Sequence, residues 1–310
     1  MIYLAVSTVK ATINGQVYDL VYNGTTGKYE KTITAPTTTS YNVNAGHYYP
    51  VQVQATDDAG NTTTKDDTDV TLGSSLKLVV KEITKPTIAI SSPSSGAKLT
   101  TASPTILFTV RDEAGGSGIN IATLALKIDG GSVIGNAAVG MTCTQVANGY
   151  DCAYICQSAL AEGSHTISID IADNDSNISV TTSTTFAVDT VPPTLNITNP
   201  ANGLKTNNPS LTVTGSTNDA ISSPVTVTIK LNNIDQGLIT ATSGNFSKAI
   251  TLAPGANTII IRSTDSAGKY SEVTRTVTLD TTPPVISAVS VTPNPVNGGA
   301  TYTISVTVTD

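Results

Sequence analysis

The chain has 310 residues and a formal net charge of −7, from 16 basic and 23 acidic side chains. Its basic residues are scattered, so no phosphate-binding face and no nucleic-acid partner is expected. Only 13% of residues are charged and 5% aromatic, Trp is absent, and no run reaches the ~18 apolar residues of a membrane span, so membrane insertion is not expected. Thr, Ser, Val, Ile, Asn and Gly dominate, a composition of strands and turns that predicts an all-β chain.

The N-terminus, "MIYLAVSTVKATINGQ", carries no basic leader, and its apolar run breaks at Ser7 and Thr8. It does not read as a secretory signal, which leaves two readings: assembly in the cytoplasm, or an export signal cut from a longer sequence. The strands "VKATI", "VYDLVY" and "YEKTITA" follow, joined by turns at Asn14-Gly15 and Gly24 to Gly27.

Three later segments share one pattern: "GHYYPVQVQATDDAGN", "GSHTISIDIADNDSN" and "GANTIIIRSTDSAGK". Each is a glycine, an alternating strand and a turn centred on an aspartate, namely Asp57, Asp173 or Asp265. Ile167, Ile169 and Ile171 fall on one face of the second, and Val225, Val227, Ile229 and Leu231 alternate likewise in "VTVTIKLN". The turn carboxylates are expected to accept backbone N–H groups.

Proline linkers set the period. "PTIAISSP" begins at Pro86, "PTLNITNP" at Pro193 and "PVISAVSV" at Pro284, spacings of 107 and 91 residues. Those lengths suit immunoglobulin-like sandwiches of about seven strands. The expected organisation is four segments: 1–84, 85–190, 191–281 and 282–310. Stiff Pro-Pro junctions at 192–193 and 283–284 predict a rod-like array.

Segment 1–84 has only 56 residues before Asp57, against 87 from Pro86 to Asp173 and 72 from Pro193 to Asp265. The shortfall is the size of two opening strands, and segment 282–310 holds two such strands. Tail-to-head completion between copies, self-closure within one chain, or an arbitrary cut from a longer array all fit. For assembly, the candidate residues are Val285, Ile286, Val289, Val291, Tyr302, Ile304, Val306 and Val308.

The turns "ATDDAGN" and "STDSAGK", the linkers "DTVPP" and "DTTPP" and the entry "GSHTI" resemble bacterial immunoglobulin-like repeats across nearly the whole chain. Such repeats occur in surface proteins, adhesins and structural proteins of tailed phages. The resemblance implies a non-enzymatic structural role in a virion or phage-like tail, as a decoration, fibre or spacer. Self-association or another virion protein would be the partner. A fragment of a cell-surface adhesin binding a host-surface glycan is the alternative, with an extracellular location.

Site chemistry is sparse. His47 and His165 follow the aligned glycines Gly46 and Gly163, and Asn257 stands near the same place, which points to local hydrogen bonding. The loop "GGSG" at 115–118 lacks the Lys of a phosphate-binding loop. Asp57, Asp58, Asp66, Asp67 and Asp69 crowd the first unit's last loop, which carries an insertion within "TTTKDDTDVTLGSS". They are candidate calcium ligands, although their spacing matches no calcium loop and solvated turn residues are the alternative. No other cofactor is expected. Tyr22, Tyr29, Tyr41, Tyr48 and Tyr49 could stack on sugars or pack across a sheet. Cys143 and Cys152 flank Asn148-Gly149 and could form a disulfide across a hairpin with a four-residue connection; apolar filling, with Cys156, or a metal are the alternatives.

Overall fold

The computed structural model describes residues 5–241 and 244–310. The first residues of the N-terminal apolar run, 1–4, lie outside them. Backbone contacts divide the chain into two compact units, Met1–Val188 and Asp189–Asp310.

The first unit opens with β1 (Val6–Ile13), β2 (Gln16–Asn23), β3 (Lys28–Glu30), β4 (Tyr49–Asp57), β5 (Thr62–Lys65) and β6 (Lys77–Leu78). They form a single sheet, ordered β3-β2-β1-β4-β5, with β6 also on β4. The β1–β2 turn has Asn14 and Gly15 at φ +47° and +74°, the left-handed pair that a two-residue hairpin turn needs. β5 and β6 both lie along β4, at Lys65 opposite Val53 and Lys77 opposite Pro50. The insertion therefore interrupts one edge strand, and it ends in a 3₁₀ turn at Gly73–Ser75, just before β6. "YEKTITA" is not a strand throughout: the ladder stops at Glu30, because Lys31 to Ala35 have no neighbouring strand to bond.

The second repeat is a two-sheet sandwich built from β7 (Thr87–Ser92), β8 (Ala97–Leu99), β9 (Thr105–Arg111), β10 (Ile119–Ile128), β11 (Met141–Val146), β12 (Gly149–Ile155), β13 (Gly163–Asp173) and β14 (Thr182–Val188). One sheet is ordered β10-β13-β14-β8 and the other β11-β12-β9-β7. Ile106, Phe108, Val110, Leu126, Ile167, Ile169 and Ile171 meet between them at 0–2% exposure. The β11–β12 connection is two residues, Ala147 and Asn148, shorter than expected because Asn148 takes φ +58°. Asp175 ties this sandwich to the first sheet, accepting from Thr39 Oγ1 at 2.5 Å and from the Glu82 N–H at 3.0 Å.

The second unit repeats the plan with β15 (Thr194–Asn199), β16 (Leu204–Thr206), β17 (Ser210–Asn218), β18 (Thr226–Leu231), β19 (Ile234–Thr240), β20 (Asn245–Thr251), β21 (Gly255–Thr264) and β22 (Tyr270–Leu279). Its sheets are β15-β17-β20 and β16-β22-β21-β18-β19. Val213, Val227, Ile229, Ile259 and Ile261 are fully buried between them. Each fully buried aliphatic contributes about 1.5–3 kcal/mol relative to exposure. Among the described residues the last two strands, β23 (Val285–Thr292) and β24 (Thr303–Thr309), pair only with each other.

Candidate functional site

The third repeat gives the frame for the first. In β18 and β21, Val227 pairs with Ser263, Ile229 with Ile261 and Leu231 with Ile259. In β1 and β4 the matching pairs are Val9 with Ala55, Ala11 with Val53 and Ile13 with Val51. The third-repeat positions are 0–7% exposed, whereas of the six matching first-repeat positions only Val9 and Ala11 are buried. The first repeat thus has the sheet corresponding to β22-β21-β18-β19, and its described residues form no second sheet. Beside its apolar face opens a cavity of about 350 Å³, lined among others by Ile13, Tyr18, Ile33, Ala35 and Leu78.

The segment "GKYEKTITAP" (27–36) repeats "GNFSKAITLAP" (244–254), whose strand β20 pairs with β17. Tyr29 then matches Phe246, and Ile33 matches Ile250. Phe246 and Ile250 are 5% and 4% exposed, whereas their first-repeat counterparts are half-buried.

The C-terminal hairpin is the mirror of this gap. Val285 pairs with Thr309, Ile286 with Val308 and Ser290 with Ser305. In the third repeat, Thr194 pairs with Asn218, Leu195 with Thr217 and Asn199 with Thr214, each 91 positions earlier. The hairpin is therefore in the register of the opening strands of a sandwich. Ile286, Val289 and Val291 stand opposite Val308, Val306 and Ile304, one apolar face of directly paired side chains. Every residue of the hairpin is exposed, and the eight candidate assembly residues are 39–64% exposed. A contiguous apolar face of this kind marks an interaction surface or an aggregation liability.

The five candidate calcium ligands do not come together. Asp57 accepts from the Ala59 and Asn61 N–H groups and from the Asn61 amide. Asp66 accepts from Thr68, and Asp69 accepts from Lys65, Thr71 and Leu72; the Lys65 ammonium beside it holds its carboxyl far below the usual range. Asp67 accepts from the Tyr48 hydroxyl at 2.8 Å, and Asp58 is exposed. Two other acidic groups do converge: Glu82, Asp112 and Glu113 in the first unit, and Asp189, Asp219 and Asp265 in the second. Asp265 was marked in the sequence as a shared turn aspartate and Asp189 opens the linker "DTVPP"; Glu82, Asp112, Glu113 and Asp219 were the overlooked members.

The histidines are not equivalent. Counting back from the shared turn aspartate, His165 and Asn257 match Tyr49, not His47. His165 bonds Asp129 and the Ala161 carbonyl at 2.7 and 2.8 Å, and Asn257 likewise bonds Ala253. His47 is an exposed loop residue at φ +59°, stacked on Tyr41. The five tyrosines form no common platform: Tyr49 is buried with its hydroxyl on Thr38, Tyr48 lies under Lys77, and Tyr22 packs on Tyr29. Cys143 and Cys152 pair in register across β11–β12 and form a disulfide, while Cys156 is a buried thiol whose pKa burial raises.

Comparison with known proteins follows the same division. Residues 86–169 match the Bacterial Ig domain family, and residues 193–281 match Glucodextranase, domain B. The fibronectin(III)-like modules of Clostridium thermocellum CbhA superpose with a TM-score of 0.38 at 14% identity, covering 62% of this chain and 94% of theirs. A variant of three titin Ig domains gives 0.44 at 12% identity, covering 88% of this chain and 87% of that one. No curated protein matches the sequence. The chain is built of tandem bacterial immunoglobulin-like repeats.

Proposed function

We propose that the chain is a structural protein that assembles by strand complementation. β24 of one copy lies beside residues 28–34 of a second copy, as β17 lies beside β20, with β23 on the far side of β24 as β15 is of β17. The observation that supports this is the matched pair of halves: a one-sheet repeat whose apolar face is only partly covered, and a hairpin in opening-strand register whose own apolar face is exposed. The contact is heterologous, so repetition yields a filament, or a ring where the rotation closes. The finer setting is a phage or phage-like tail, with this chain as decoration, fibre or spacer. The second reading is a bacterial surface protein in which the same hairpin opens a further repeat, and the register with the third repeat favours it equally.

Light scattering and electron microscopy of the purified chain, with and without residues 283–310, test the assembly. Multimers that dissolve to monomers on deletion are the expected result. A monomer whose first repeat melts identically with and without the hairpin would overturn it. A monomer whose first repeat is destabilised by the deletion would replace it with closure inside one chain. Immunogold labelling of lysed particles against intact cell surfaces separates the two settings.

A further inference from the structure

Asp189, Asp219 and Asp265 present carboxylate oxygens within 4.8 Å of one another, and all three residues are buried, at 0%, 9% and 5% exposure. Each is held by its own turn through one oxygen. Asp189 Oδ1 accepts from the Val191 N–H, Asp219 Oδ1 from Ile221 and Ser222, and Asp265 Oδ1 from Ala267 and Lys269. The second oxygens of Asp189 and Asp265 are buried without a hydrogen-bond donor among the described residues, and so is the Ser222 hydroxyl. None of the ion pairs among the described residues involves these aspartates. Three carboxylates at this separation out of water repel one another, and unpaired buried charge is costly by several kcal/mol. Such an arrangement persists when a cation or shared protons neutralise it.

The second repeat builds the same feature from corresponding positions. Glu82 stands four residues before Pro86 as Asp189 stands four before Pro193, and Asp112 lies 107 positions before Asp219. Their oxygens meet those of Glu113 within 4.8 Å. Glu82 Oε2, Asp112 Oδ1 and Glu113 Oε2 are buried with no donor among the described residues. Asp173, the counterpart of Asp265, is not one of this trio, because the Asn177 side chain occupies its Oδ2. Lys269 replaces that asparagine in the third repeat, and Asp265 Oδ2 is left bare.

We propose that Asp189, Asp219 and Asp265 bind one calcium ion, and that Glu82, Asp112 and Glu113 bind a second. The donors are oxygen only, with no His or Cys, which selects a hard cation over zinc. Asp189, Asp219 and Asp265 come from three separate turns, and Glu82 from a different segment than the adjacent Asp112 and Glu113, a geometry that suits the loose six- to eight-oxygen shell of calcium better than the strict octahedron of magnesium. The sites stand apart from the assembly reading, since each is complete within one unit of one chain.

The test is calorimetric titration of the chelator-stripped full chain with calcium chloride, and separately with magnesium chloride, at fixed ionic strength. Two saturable calcium sites and a rise in unfolding temperature are expected. Asp189→Asn with Asp265→Asn removes one site and leaves the other, and Glu82→Gln with Asp112→Asn does the converse. The amide oxygens keep the turn hydrogen bonds, so both variants unfold, without calcium, at or above the temperature of the unsubstituted chain. Absence of saturable calcium binding overturns the proposal, as does calcium binding that these substitutions leave unchanged. Tighter binding of magnesium than calcium overturns the choice of ion.

Discussion

Ile304→Asp is the most direct probe of the assembly face. Ile304 is 58% exposed in the hairpin, while Val213, at the same place in the third repeat, is 0% exposed. Covering the remaining surface of Ile304 is worth about 1–2 kcal/mol, a bit over half the value of full burial. A carboxyl there must also be kept neutral at pH 7, about three pKa units above its ordinary value, which costs about 4 kcal/mol. The sum of about 5 kcal/mol corresponds to more than three decades in dissociation constant. Thr303→Asp is the matched control, because Thr303 lies on the opposite, polar face and its counterpart Thr212 is exposed in a complete sandwich. Sedimentation velocity over a concentration series should show Ile304→Asp as monomer and Thr303→Asp assembling like the parent. Equal assembly of the two variants would refute the claim that this face is covered.

Register supplies a second check. Thr214 pairs with Ser247 in the third repeat, so Ser305 should meet Glu30 of another copy. Chains carrying Glu30→Cys and Ser305→Cys should cross-link when mixed and oxidised, as mass spectrometry of the joined peptides would show; cross-linking of all surface cysteines alike would count against the register. In the second repeat, burial opposes charge on His165, but its bonds to the Ala161 carbonyl and Asp129 outweigh this and raise its pKa. A raised folded pKa gives stability that is full below about pH 6.5 and lost as pH rises through the folded value. The unfolding temperature should fall across that window and stay level in His165→Asn, by less than about 1 kcal/mol because Asp129 is half exposed; a level parent profile would contradict the pairing. Reducing Cys143–Cys152, which closes a separation of nine residues, should lower second-repeat stability by about 2–3 kcal/mol in urea unfolding. An unchanged midpoint would show that the strand ladder alone holds the hairpin.

Local pattern determined a great deal of this protein. Strict alternation placed Ile167, Ile169 and Ile171 inside, and all three are 0–1% exposed. Asn14-Gly15 marked a hairpin turn because few other pairs accept two left-handed residues. The repeat of proline linkers and aspartate turns gave the sandwiches and the resemblance that the family matches share. These features are fixed by neighbours a few residues apart, so the sequence carries them on its face.

Other features were decided only when distant segments met. Whether "YEKTITA" is a strand depends on a partner strand, and in this chain the ladder ends at Glu30 for want of one. His47 looked equivalent to His165 by its preceding glycine, yet pairing along the strand puts Tyr49 in that place. Of the aspartates that crowd the sequence, Asp57, Asp66, Asp67 and Asp69 each satisfy a turn or a side-chain donor nearby, and Asp58 is exposed. Asp189, Asp219 and Asp265, 30 and 46 residues apart, are the ones that share a buried pocket of charge. Proximity in sequence reports which carboxylates can cap the same turn. Only the packing of two sheets, which closes three turns over one point, decides which carboxylates meet.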